Sequence, residues 1–199
     1  MSVMSGSDAT RPPSTGVKLT YDDLAHFPDD GKRHELIDGE HYVTPSPNTR
    51  HQRIVLTLTS LIWNFLQANR VGEVFGSPLD VVFSDFDVVE PDLLFVSQAR
   101  MDVVTAQNIQ GAPDLVVEVG SPGTRRRDEK IKHRLYERSG VTEYWVVDPD
   151  LDMIKVFVLV EGRYGSPREL TLDKDDVLTT PLLPGLVLPL TRIFSAPHT

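Results

Sequence analysis

The clearest pattern in the chain is the recurrence of Ile54, Val55, Leu58, Leu61, Ile62, Phe65 and Leu66 at i, i+1, i+4, i+7, i+8, i+11 and i+12. That spacing predicts a long amphipathic helix, capped by Asn48 or Thr49 and closed by Gly72. Upstream, Lys18 to Phe27 reads as a short helix with Asp22 and Asp23 in its first turn, where acids suit the dipole. RHELIDGEHYVTPSP holds two extended pieces around Asp38-Gly39, the dipeptide of a tight hairpin turn, with Glu35 on the first arm. Downstream, GEVFGSPLDVVFSDFDVVEPDLLFV divides into three short strands, and its tight connections predict an antiparallel meander. A polar loop around Thr105 to Gly111 leads to the strand PDLVVEV and the turn GSPG. A second helix from Arg125 to Ser139 ends at Gly140 and is followed by VTEYWVVDP, rich in aromatic and β-branched residues. Strand, helix, strand in this order predicts a right-handed crossover between parallel neighbours. A hairpin around Glu161 to Arg163 and an extended tail from Pro181 to Phe194 complete one α/β domain with a mixed sheet flanked by helices.

Composition narrows the chemistry. The 199 residues make about one domain, and their 40% apolar and 25% charged content is ordinary for a globular chain. No run approaches the ~20 apolar residues of a membrane span. Without cysteine there are no disulfides, thiolate metal sites or thiol nucleophiles, so a bound metal needs oxygen or imidazole ligands and hard cations are the default. The net charge of −9 has the wrong sign for nucleic-acid binding by overall charge, so such a partner requires a local basic patch. Residues 1–16, rich in Ser, Pro and Gly, read as a disordered leader rather than a secretory signal, which leaves 17–199 as the domain and a cytoplasmic location as the expectation.

Glu118 is the most informative residue, because a carboxylate within Leu115, Val116, Val117 and Val119 costs several kcal/mol to bury unless a partner or a metal holds it. It either points to an edge, pairs with an arginine of the next helix, or serves a site. Asp92 follows Pro91 at the entry to a strand; neighbouring strands would bring it and Glu118 to one edge, as a magnesium site requires. Asp114 repeats the Pro-Asp pair but lies about 13 Å along the strand from Glu118, a poorer co-ligand. On the following helix Asp128, Lys132 and Tyr136 share one face, with Ile131 and Leu135 on an adjacent apolar face. That face leans back toward Glu118, which puts Lys132 within reach of the carboxylates. From Thr124 to Arg138 seven Lys or Arg stand against three acids, and Arg125, Arg126, Arg127 and Lys130 form a candidate patch for phosphates or merely a solvated face.

RHELIDGE, His51 at the start of a long helix, SPLDVVF, EPDLLFV, APDLVVEVGSPGT, the trio Asp128, Lys132 and Tyr136, and GVTEYWVVDP together resemble the Uma-type family of putative restriction endonucleases, part of the PD-(D/E)XK nuclease superfamily. The resemblance runs from about Tyr21 to Phe194. It implies a restriction-endonuclease-like fold, a Mg²⁺- or Mn²⁺-dependent endonuclease acting on DNA, and catalytic residues Glu35, Asp92, Glu118 and Lys132. Asp92 and Glu118 would hold the metal, and Glu35 would be a third acid from the N-terminal hairpin. Gly120 stands where the superfamily motif has its lysine; Lys132 is the natural replacement and Lys130 its rival. His51 and Tyr136 are accessory candidates. Nucleases that cut both strands commonly pair two-fold, so a homodimer is expected. The competing class is a nuclease-fold domain that binds nucleic acid or protein without cleaving it. GSPGT lacks the lysine and spacing of a P-loop, and no HExxH or G-x-S-x-G motif is present. Because buried like charges repel without their metal, loss of either Asp92 or Glu118 is expected to leave the fold intact or more stable.

Overall fold

A computed structural model describes residues 16–28, 30–44, 46–120 and 125–195, with only the backbone described for 125–129. The leader therefore lies almost wholly outside the described residues. The first helix, α1 (Tyr21–Leu24), is shorter than its sequence suggests. Thr20 and Asp23 form a capping box at its start, and the chain then tightens into i+3 turns at His26 and Phe27. Phe27 instead packs edge-on against His34 and His41.

Strands β1 (Arg33–Ile37) and β2 (Glu40–Thr44) form the hairpin expected at Asp38-Gly39, both of whose φ angles are positive, 55° and 72°. Helix α2 (Thr49–Ala68) is capped by Asn48, whose side chain accepts from the His51 N–H, and buries Ile54, Leu58, Ile62 and Leu66 on one face. Asn69 rather than Gly72 closes it. Gly72 opens the next strand, where a Cβ would stand 2.2 Å from the Val96 carbonyl oxygen.

The expected meander is not formed. Four strands follow α2: β3 (Gly72–Gly76), β4 (Val81–Ser84), β5 (Asp87–Val89) and β6 (Leu93–Ser97). β3 pairs directly with β6, and the β4–β5 hairpin leaves to join β1 in a second sheet. Val81 and Val89 pack in the same core as Ile37, and burial against that hairpin outweighs pairing with the nearest neighbour in sequence. A 3₁₀ segment at Gln98–Val103 precedes β7 (Ile109–Gln110), inside the expected polar loop, which runs parallel to β4.

β8 (Leu115–Val119), α3 (Arg125–Ser139) and β9 (Glu143–Asp148) form the expected unit with parallel strands, and Gly140 turns the chain at φ 84°. β10 (Met153–Val160) and β11 (Arg163–Tyr164) are the predicted second hairpin, and β12 (Arg168–Thr171) also pairs with β10. The tail is not simply extended. It forms a two-stranded ribbon from β13 (Val177–Leu178) and β14 (Leu188–Pro189), then α4 (Leu190–Phe194), and buries Leu183, Leu186, Leu188 and Ile193 in the core under α2.

The larger sheet runs β11-β10-β9-β8-β6-β3 and the smaller β2-β1-β5-β4-β7, so the architecture is mixed α/β with two main sheets where the sequence suggested one. Period-two alternation sorts the larger sheet's residues. Leu93, Phe95, Leu115, Val117, Trp145 and Val147 enter the core under α2 and α4. Leu94, Val96, Val116, Tyr144 and Val146 enter the other core, with Ile37, Leu135 and Tyr136. Glu118 keeps step with Val116, so it belongs to the face covered by α3 and the smaller sheet.

Candidate active site

Antiparallel pairing of β6 with β8 sets Leu93 opposite Val117, and one step further along that register Asp92 falls opposite Glu118. Two carboxylates predicted to share an edge are therefore cross-strand neighbours. Asp92 is 2% exposed and accepts from three donors. Arg33 Nη1 stands 2.7 Å from Oδ1; His51 Nε2, at 3.1 Å, and the Val119 N–H, at 2.8 Å, both meet Oδ2. Burial opposes the charge, but His51, Arg33 and the Val119 N–H more than offset it and hold the Asp92 carboxyl below its ordinary value.

Glu118 has the opposite balance. Lys132 Nζ donates to its Oε1 at 2.9 Å and the Tyr136 hydroxyl to the same oxygen at 2.6 Å. Burial pushes its carboxyl up, and against Lys132 the charges of Asp92 and Glu35 push the same way. Lys132 also donates to Glu35 Oε1 at 2.8 Å, so one ammonium joins the β1 acid to the β8 acid. Burial opposes that ammonium, yet the two carboxylates hold it charged well above the usual lysine range. The backbone N–H of Glu90 fixes the same Glu35 oxygen at 3.0 Å.

The helix makes this possible. Lys132 and Tyr136 are one turn apart on α3, and Leu135 and Ile131 dock the adjacent face in the core, which turns the lysine and the phenol toward β8. Lys130 is exposed. The side chains of Arg125, Arg126, Arg127 and Asp128 lie outside the described residues. Asp114 serves the framework, accepting from the Ser97 N–H at 2.7 Å and from Arg100 at 3.2 Å.

Glu35, His51, Asp92, Glu118, Lys132 and Tyr136 thus come together in one constellation. Two members escaped the reading of the sequence. Arg33 lies two residues before Glu35, and Glu90 two before Asp92; strand-like alternation puts such pairs on one face. Burial, and then the charges of Asp80 and Glu35, push the Glu90 carboxyl up.

Among the described residues, three His, Asp or Glu side chains nowhere form a ready-made cation cage. The donor set nevertheless suits a hard divalent cation: every carboxylate offers oxygen, and Glu35, Glu90, Asp92 and Glu118 outnumber the fixed cations Arg33 and Lys132.

The fold has a counterpart among solved structures. A crystal structure of a putative nuclease belonging to DUF820, from Anabaena variabilis, superposes with a TM-score of 0.75 at 21% identity, covering 89% of this chain and 98% of its own. No curated protein matches the chain at a significant level. Residues 20–191, from the cap of α1 into α4 and so including every residue of the constellation, match the Uma2 family, described as putative restriction endonuclease. The chain belongs to the Uma2 family of putative restriction endonucleases.

Proposed function

We propose that the chain is a divalent-cation-dependent endonuclease that hydrolyses phosphodiester bonds of DNA, with Glu35, Asp92, Glu118 and Lys132 as its catalytic residues. The observation that carries this is Lys132 held 2.8 Å from Glu35 and 2.9 Å from Glu118, on the strand beside Asp92. It supplies from α3 the ammonium that Gly120, whose N–H is bound to the Val147 carbonyl, does not. Phosphodiester hydrolysis needs an oriented water, positive charge against the phosphate oxygens and a stabilised leaving oxygen.

Asp92 and Glu118 would hold Mg²⁺ or Mn²⁺, which supplies Lewis-acid charge to the phosphate and to the attacking water. Lys132, kept charged by its two carboxylates, neutralises a non-bridging phosphate oxygen or orients the water. Glu35 fixes the lysine. Tyr136 holds Glu118 Oε1, and His51 with the Val119 N–H holds Asp92 Oδ2, so both acids keep one orientation without the entropy cost of searching rotamers. In sequence, Arg125, Arg126, Arg127 and Lys130 put into an acidic protein a local run of basic residues that would meet the DNA backbone.

Nicking of supercoiled plasmid tests the proposal. The full chain should relax or linearise plasmid with Mg²⁺ or Mn²⁺, not with EDTA, and Glu118→Gln should lose this while still binding DNA. Binding without cleavage by the parent in either metal would assign the domain to recognition instead.

A further inference from the structure

Arg33 occupies an unusual place in the constellation. It is anchored by Asp92 Oδ1 at 2.7 Å and by the Glu90 carbonyl at 3.1 Å. Burial opposes its charge, while Asp92, Glu118 and Glu35 all stabilise it, so the guanidinium sits in the common field of three acids. Asp92 Oδ2 already accepts from both His51 and Val119. A carboxylate oxygen has two lone pairs, so Oδ1, beside Arg33, is where Asp92 retains capacity for another cation.

A guanidinium and a dication on one oxygen repel strongly in a pocket shielded from water. Of the two resident cations, Arg33 is the one hydrogen-bonded to that oxygen, whereas Lys132 is bonded to Glu35 and Glu118. Lys132 is tied to two carboxylates and its side chain is 13% exposed; Arg33 is tied to one and is 18% exposed, against 3% for Asp92. Arg33 is the one with fewer anionic ties and the more open way to solvent.

We infer that Arg33 is a resident counter-ion, displaced from Asp92 when a divalent cation enters, so that metal loading is an exchange of cations rather than a simple addition. The inference rests on Asp92 and Glu118 being the metal holders. It makes the guanidinium the group that screens this cluster of acids until the ion arrives. It makes Arg33 a positioning residue whose removal raises metal affinity, the reverse of what removal of a ligand does.

Calorimetric titration of the metal-free full chain with Mn²⁺, with thermal melts in EDTA and in saturating Mn²⁺, tests it on the parent, Arg33→Gln, Arg33→Lys and Asp92→Asn. Arg33→Gln should bind Mn²⁺ at least tenfold more tightly than the parent, melt lower in EDTA, and recover most of that loss with Mn²⁺. Arg33→Lys keeps the charge but cannot span Asp92 and the Glu90 carbonyl, and should fall between the two; it decides the matter alone if the Gln variant does not fold. Equal or weaker Mn²⁺ binding by the folded Arg33 variants, with binding lost in Asp92→Asn, would overturn the exchange and leave the metal site standing. Absence of binding in the parent and in both Arg33 variants would overturn the exchange and the metal site together.

Discussion

Asp92 and Glu118 face each other across two strands, but their charges rest on different supports. Asp92 is held below its ordinary 3.8 although buried, because His51, Arg33 and the Val119 N–H outweigh the loss of water. Glu118 is held above its ordinary 4.5 by burial and by its acidic neighbours. A lowered carboxyl contributes stability that is present above its unfolded value and lost as pH falls through its folded one; a raised carboxyl contributes stability below its unfolded value that is lost as pH rises. The shared expectation that both acids are dispensable to the fold therefore divides. At pH 7 in EDTA, Asp92→Asn should cost about 2–3 kcal/mol, since it leaves Arg33 without its carboxylate, and lower Tm by roughly 5–10 °C. Glu118→Gln should hold or raise Tm, with its advantage over the parent growing as pH rises from 4.5. Melting curves from pH 4 to 8 check both signs; equal losses in the two variants would contradict the assigned electrostatics. Glu118 was legible in the sequence because it stands out within an apolar run, and Asp92 only through the expectation that a neighbouring strand would set it beside Glu118. Arg33 and Glu90 were not, since in RHELI and VEPD a charged residue looks like ordinary strand surface until the opposing strand is known.

At the scale of elements, α3 does more than cover the sheet. Its apolar residues Leu135 and Ile131 set its rotation, and that rotation aims Lys132 and Tyr136 at β8 while Lys130 stays outside. Lys132→Ala should therefore lower turnover by about two to four powers of ten with little change in DNA affinity, whereas Lys130→Ala should leave turnover intact. Single-turnover cleavage beside a binding isotherm separates the two; loss of turnover in the Lys130 variant alone would mean that α3 is rotated otherwise. The helices and the parallel β8–β9 pair were readable because periodicity and caps are local signals. The pairing of β3 with β6, and the departure of β4–β5 to the hairpin β1–β2, were not. Sequence proximity favoured a meander, and the decision belonged to residues more than 40 positions away, such as Leu36, which pairs with Val88.

Across the whole molecule, the constellation forms where the two sheets and α3 meet, and α2 reaches it from the far side of the larger sheet through His51. The smaller sheet brings Arg33 and Glu35, the larger brings Glu118, the link from β5 to β6 brings Glu90 and Asp92, and the crossover helix brings the lysine and the phenol. An acidic chain thus concentrates four carboxylates around two cations at one junction, an arrangement that favours the entry of a further cation. The most direct measurement is the anomalous diffraction of crystals soaked in Mn²⁺. A peak touching both Asp92 and Glu118, absent in crystals of Glu118→Gln, is the predicted result; no peak there, or one bound elsewhere while the parent cleaves DNA, would contradict the assignment of this junction as the catalytic centre.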